Sequence, residues 1–287
     1  MVSRNSAPMA VTAPSSNAAS APRRLRVAGA APGGAEVLAL ANQKGGVAKT
    51  TSTINLGAAL QEQGLRVLVF DLDPQSNLTM SLGIDPEHVE RSMFDVLAHR
   101  LPITEVIHHG ELDIAVSSID LAGAELALSS MIGRERALEK ALLPIIHEYD
   151  YVLIDTPPSL GLLTINALTA ASGVIVPVQC EYLSLRGLVQ LENTLSMIRE
   201  NLNPRVKIRG ILPTMLDNRL LHAKEALELL EHNFGDLVFK TRVRKTIRLA
   251  EAPVSGVSVL SYDSHGAAAK SYRDLAQEVL QDAEEAG

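Results

Sequence analysis

The chain has 287 residues, 46% hydrophobic and 21% charged, with a formal net charge of −7; this is the balance of a folded α/β protein and argues against DNA affinity as a whole-molecule property. Aromatics make up 3% with no Trp, which argues against a stacking platform for single-stranded nucleic acid. The single Cys180 excludes an internal disulfide or a four-thiolate metal site, and no run approaches the roughly 18 apolar residues of a membrane span, so the expectation is a soluble, cytoplasmic protein.

Residues 1–36 hold ten Ala, five Ser, four Pro and three Gly, no aromatic and a single acid, Glu36. Such a stretch cannot bury enough apolar surface to order itself, so a disordered tail is expected, with 37–287 forming one domain. Arg4, Arg23, Arg24 and Arg26 also fit a transit peptide, and that alternative stays open. From Val37 onward short apolar runs alternate with amphipathic stretches. "VLALAN" (37–42), "RVLVFDLD" (66–73), "LDIAVSS" (112–118), "YVLIDTP" (151–157), "GVIVPVQ" (173–179) and "VKIRGILPTML" (206–216) read as strands, most of them buried on both faces. Helix-like segments lie between and after them at 49–63, 134–148, 161–171, 184–200, 220–233 and 267–284. The alternation predicts a doubly wound, mostly parallel sheet flanked by helices on both faces. Ligands bind such sheets at the carboxyl ends of the strands, so the loops after 42, 73, 155, 179 and 216 should converge on one site.

The first of these loops, "ANQKGGVAKTTST" (41–53), follows a strand and opens a helix, the setting in which backbone N–H groups and the helix dipole hold a phosphate. It does not obey G-x-x-x-x-G-K-[ST]: with Lys49 aligned, Gln43 and Ala48 stand where glycines belong, and Lys44 is an additional cation. Gly45 and Gly46 allow close backbone approach, Lys49 would neutralise β- and γ-phosphates, and Thr50 would ligate Mg²⁺. Ala48 at a helix entry is expected to need only right-handed dihedrals.

The spacing K-G-G-x-x-K-T-T resembles the deviant Walker A box of the ParA/MinD family of ATPases. The resemblance implies that Lys44, Gly45, Gly46, Val47, Ala48, Lys49, Thr50 and Thr51 bind ATP with Mg²⁺. It also implies that Lys44 reaches the phosphates held by a second copy, so that ATP closes a homodimer. "VFDLDPQSN" (69–77) resembles the family's D-x-D-P-Q-G-N, which gives Asp73 the role of orienting the attacking water. Ser76 replaces the motif's glycine, which puts the following turn in question. Asp155, ending "YVLID", stands at the Walker B position as a Mg²⁺ ligand, direct or through water. The segment "LGLLTINAL" after it fits a switch or a core helix equally. "GILPTMLDNR" (210–219) contributes Pro213 to the adenine pocket by the same analogy, and the lack of an N-K-x-D box favours ATP over GTP.

Between Arg199 and Arg248 there are eleven Lys or Arg against six Asp or Glu. Lys240, Arg242, Arg244, Lys245 and Arg248 fall within nine positions without an acid. Charge alone leaves a solvated face as the simpler explanation. The "RLAEAP" that follows resembles the "RLSEAP" of the Soj branch, which implies that Arg248, with Arg219, contacts nonspecific double-stranded DNA in the nucleotide-bound dimer. The family reading is thus a partitioning ATPase whose hydrolysis is stimulated by a ParB-type partner on the nucleoid, with chromosome and plasmid cargo not distinguished. A MinD-like positioning ATPase acting through proteins or membrane is the alternative; the acidic C-terminus lacks a basic amphipathic helix. A reductase like the nitrogenase iron protein would need two cluster cysteines per chain.

Overall fold

The computed structural model describes residues 34–180, 184–217 and 221–285. The sheet comprises β1 (Glu36–Leu40), β2 (Val67–Asp71), β3 (Ile107–His108), β4 (Asp113–Ala115), β5 (Tyr151–Asp155), β6 (Gly173–Gln179) and β7 (Lys207–Thr214), in the order β3-β4-β2-β5-β1-β6-β7. Every neighbouring pair is parallel except β3 with β4. β1, β2 and β5 are buried at all positions, which is why their sequences are continuous apolar runs rather than alternating ones. β1 begins at Glu36, one residue inside the stretch expected to be a tail, and Ala35 N–H already donates to the Ile146 carbonyl at 2.8 Å.

The helices are α1 (Lys49–Glu62), α2 (Asn77–Ser81), α3 (Met93–His99), α4 (Ala124–Ser129), α5 (Ala137–Leu142), α6 (Leu162–Ala170), α7 (Ser184–Asn201), α8 (Leu221–Phe234), α9 (Arg248–Glu251), α10 (Val259–Tyr262) and α11 (Ala267–Glu285). Chain order fixes their sides. The crossover through α1 carries the chain from β1 past β5 to β2, whereas α6 carries it from β5 past β1 to β6. Right-handed crossovers running in opposite directions lay their helices on opposite faces. On the α1 face, α11 turns Tyr272, Leu275, Ala276 and Val279 inward at helical spacing, and the Tyr272 hydroxyl meets Ser52 Oγ at 3.2 Å. α1 is therefore sandwiched between sheet and α11, which accounts for its burial from Ser52 through Leu60. Among the described residues no helix is long and apolar enough to cross a membrane.

Two expectations are corrected in extent. The helix expected over 134–148 is a 3-10 turn, Arg134–Arg136, followed by α5, which stops at Leu142 because Pro144 has no N–H to continue the ladder. The strand expected over 112–118 pairs only across Asp113–Ala115, and the chain then leaves the sheet as Ser117 and Ser118 turn to side-chain hydrogen bonds.

β7 accommodates one close approach: a Cβ on Gly210 would collide with the Phe239 ring, whose segment runs alongside and donates Phe239 N–H to the Ile211 carbonyl at 3.0 Å. Gly210→Ala should therefore overpack this edge, costing about 1–3 kcal/mol. Thermal unfolding should register a fall of roughly 2–4 °C per kcal/mol; an unchanged midpoint would mean that Phe239 moves aside freely.

Candidate nucleotide site

The strand register builds the site before any loop does. Leu40 pairs with Asp155 and Asp155 with Asp71, so the carboxyl ends of β1, β5 and β2 finish level. Beyond Leu40 the chain turns through Asn42 to Val47 into α1. Asn42 organises the entry, its Oδ1 accepting the Lys44 N–H at 2.9 Å and its Nδ2 donating to the Pro177 carbonyl at 2.7 Å. Gly46 has φ +71° and nothing within 4 Å of where a Cβ would sit, which leaves the space beside the N-terminal N–H groups of α1 open. Gly45 lies against Pro158, 3.8 Å from its would-be Cβ, so the loop rests on the turn after Asp155. Val47 is buried and its carbonyl accepts Thr214 Oγ1 at 3.1 Å, which ties the loop to the end of β7.

Lys49 is buried, and desolvation pulls its pKa below the ordinary lysine range against the opposing pull of Asp155 and Asp73. Thr50 Oγ1 donates to Asp155 Oδ2 at 2.5 Å. The other oxygen, Asp155 Oδ1, is buried without a hydrogen-bond partner. Burial, with Asp71 alongside, holds the Asp155 pKa well above the carboxylate range, and burial pushes Asp71 up to about 6. Asp73 is buried as well, with Oδ1 accepting the Gln75 N–H at 3.0 Å. Three carboxylates thus press on one ammonium. A hard divalent cation is what this donor set lacks: it would answer both the excess negative charge and the orphaned oxygen beside the Thr50 hydroxyl. Thr51 continues α1, and its carbonyl accepts Asn55 Nδ2 at 2.7 Å.

Ala48 corrects an expectation. It is left-handed, φ 66° and ψ 35°, and caps α1 with no side-chain bond. Ser76, which also replaces a motif glycine, is likewise left-handed at φ 53°, so the turn survives the substitution, but the buried Ser76 hydroxyl finds no partner among the described residues. A methyl in that region costs about 1–2 kcal/mol relative to glycine.

Lys44 reaches the end of a neighbouring strand. Its ammonium lies 3.3 Å from Gln179 Oε1 at the end of β6. Gln179 ends the strand in "VPVQCEYLSLRGL" (176–188), a stretch that resembles the partitioning branch of the family, and it stands at the same sheet edge. Pro213 is buried within β7 opposite Val178, and its carbonyl accepts the Val243 N–H at 2.9 Å. That bond and the bridge of Leu216 to Arg244 lay the basic segment along β7, so it starts beside the site rather than far from it. Its five cations then diverge. Lys240 is exposed above a backbone that Glu278 grips through the Lys240 and Thr241 N–H groups at 2.6 and 2.7 Å. Arg242 pairs with Glu231. Arg244 and Lys245 are exposed. Arg248 opens α9, exposed, within 2.9 Å of Glu251 and 3.8 Å of Asp263. Arg219 lies outside the described residues.

The AAA domain family model matches residues 35–208. The sporulation initiation inhibitor protein Soj of Bacillus subtilis is 45% identical over 247 residues, 85% of this chain and 98% of that protein. The chain belongs to the ParA/Soj family of chromosome-partitioning proteins. The family member called chromosome partitioning protein ParA in Caulobacter vibrioides is 43% identical across 85% of this chain and 93% of its own. A solved structure from Mycobacterium smegmatis, described as cobyrinic acid a,c-diamide synthase with bound ATP analog and magnesium, is 42% identical with a TM-score of 0.77, covering 86% of this chain and 94% of that one. The left-handed Ala48 is a conformational cost carried by this loop. Ala48→Gly should raise the thermal midpoint by roughly 2–4 °C, the value of about 1 kcal/mol in a domain of this size; no rise in a melting curve would show that the loop already relaxes around alanine.

Proposed function

We propose that the chain is an ATP-hydrolysing partition protein: two copies close on Mg·ATP, the dimer binds nonspecific duplex DNA, and a ParB-type partner stimulates the hydrolysis that releases it. The observation that carries this reading is the Thr50–Asp155 pair, with its orphaned Oδ1, under a buried lysine at the mouth of a phosphate loop. The bound ATP analog and magnesium in the M. smegmatis relative support it. Magnesium would supply Lewis-acid polarisation of the phosphate oxygens.

Thr50 and Asp155 would hold the metal, with the Thr50 hydroxyl giving up its present bond to Asp155. Lys49 and the amides from Gly45 to Thr51 neutralise β- and γ-phosphates. Asp73 orients the attacking water, and Lys44 exchanges Gln179 for the phosphates of a second copy. Pro213 and the rim after it take the adenine side. Lys240, Arg244, Lys245 and Arg248, with Arg219, are the cations offered to DNA phosphates, Arg242 being the one already engaged, by Glu231. Arg248 suits this use because an exposed ion pair is a weak competitor for a phosphate. Two such faces on one dimer supply avidity. A DNA surface is favoured over a membrane one because α11 spends its apolar face on α1.

Duplex binding measured with ATP, ADP and no nucleotide should appear only with ATP; equal affinity in all three overturns the cycle. Arg248→Glu should leave ATP-dependent dimerisation intact and make the dimer's slope of log affinity against log salt shallower by roughly 1.8, about 0.9 for each phosphate no longer neutralised. A wild-type slope would return the basic segment to a solvated face. Asp73→Ala should keep Mg·ATP and the dimer while losing turnover, and hydrolysis at the parental rate would remove Asp73 from the water-orienting role.

A further inference from the structure

Asp73 is held by both ends of its own backbone. Its N–H donates to Asp71 Oδ1 at 3.1 Å, and its carbonyl accepts Ser117 Oγ at 3.1 Å and the Ser76 N–H at 2.8 Å. Thr79 closes the ring. Its N–H and its hydroxyl both donate to Asp71 Oδ2 at 2.8 Å, and the same hydroxyl accepts the Ser117 N–H at 3.0 Å. Asp71, Thr79 and Ser117 are each 0% exposed. Three elements meet here, since Asp71 ends β2, Thr79 sits in α2 and Ser117 follows β4.

We propose that Asp71, Thr79 and Ser117 form a positioning cage that fixes the backbone of Asp73 and thereby the aim of its carboxylate. The inference rests on Asp73 being the water-orienting residue. Asp73 stands in the link between β2 and α2, outside regular structure, where a peptide ordinarily moves more than a strand does. The left-handed Ser76 gives α2 no side-chain cap, and the Asp71 carboxylate supplies one from the strand end by taking the Thr79 N–H. A buried carboxylate beside Asp155 is an expensive way to cap one short helix. It becomes intelligible when its second oxygen is seen to hold the Asp73 amide, with the Ser117 hydroxyl holding the opposite side of the same residue. An error in aim of the order of an ångström costs about 100-fold in rate while leaving ground-state binding intact.

The test compares the full-length wild type with Thr79→Val, Ser117→Ala, the conservative Thr79→Ser and Asp73→Ala. Read-outs are kcat and KM for ATP, the Mg·ATP Kd by calorimetry and the thermal midpoint. The expected result is a kcat lowered about 10- to 100-fold in Thr79→Val and Ser117→Ala, KM and Kd within about twofold, and near-complete recovery in Thr79→Ser, whose hydroxyl can keep both bonds. Wild-type kcat in Thr79→Val and Ser117→Ala beside an inactive Asp73→Ala overturns the cage alone. A parallel loss of kcat, Kd and thermal midpoint that Thr79→Ser fails to restore also overturns it, in favour of a purely structural network. Wild-type hydrolysis in Asp73→Ala removes the water-orienting role and the cage with it.

Discussion

Three buried carboxylates and one buried ammonium at the level ends of β2 and β5 set the terms for everything around them. Like charges in a dry interior are tolerated only where hydrogen bonds or counter-charges meet them. The protein meets them unequally. Asp71 is saturated, accepting from Thr79 twice and from the Asp73 amide. Asp155 receives one hydroxyl and keeps an oxygen unsatisfied. That inequality separates a carboxylate whose two oxygens are both engaged within the fold from one that keeps an oxygen bare, although both end strands of similar sequence.

The same edge of the sheet gathers backbone strain. Ala48, Ser76 and Met215 have positive φ, and they follow β1, β2 and β7 respectively. Left-handed residues with side chains persist where their surroundings over-determine them, and functional sites are where such strain collects. Ala48 is pinned by the buried Val47 before it and the buried Lys49 after it. Ser76 is pinned through its N–H to the Asp73 carbonyl. Strain gathers here because turning a strand end into a helix start with its N–H groups converging bends the chain into conformations that glycine adopts more cheaply.

β7 joins the two halves of the proposed cycle. Thr214 touches the phosphate loop, Pro213 accepts from Val243, and Leu216 bridges to Arg244. A change in the loop on closing around nucleotide therefore has a short covalent and hydrogen-bonded route to the exposed cations. The route enters through the Thr214 hydroxyl and then runs through paired backbone, so a displacement of the strand end is carried along the segment as a unit.

Much of this was legible in the chain before folding. Continuous apolar runs such as "YVLID" and "GVIVPVQ" announced strands buried on both faces, and the order K-G-G-x-x-K-T-T, then D-x-D, then the Asp155 that ends "YVLID" announced the loop and the acids beside it, because those signals are local. The short α2, α3 and α4 and the antiparallel β3 carry too few residues to show a period, and the end of α5 was set by one proline inside a plausible helical pattern. The sign of φ at Ala48 was misjudged for a related reason: a residue's type states what it prefers, whereas closure of the loop onto α1 states what it must adopt. Ser117 and Thr79 have no motif at all. Periodicity and element order by themselves determined the fold class, and the motifs pointed to the loop and, by resemblance, to the family. Tertiary structure alone decided which oxygen of Asp155 is left bare, that Lys44 rests on Gln179, and that two hydroxyls from separate elements converge on one aspartate, since hydrogen bonds between residues dozens of positions apart depend on register and packing that no local pattern encodes.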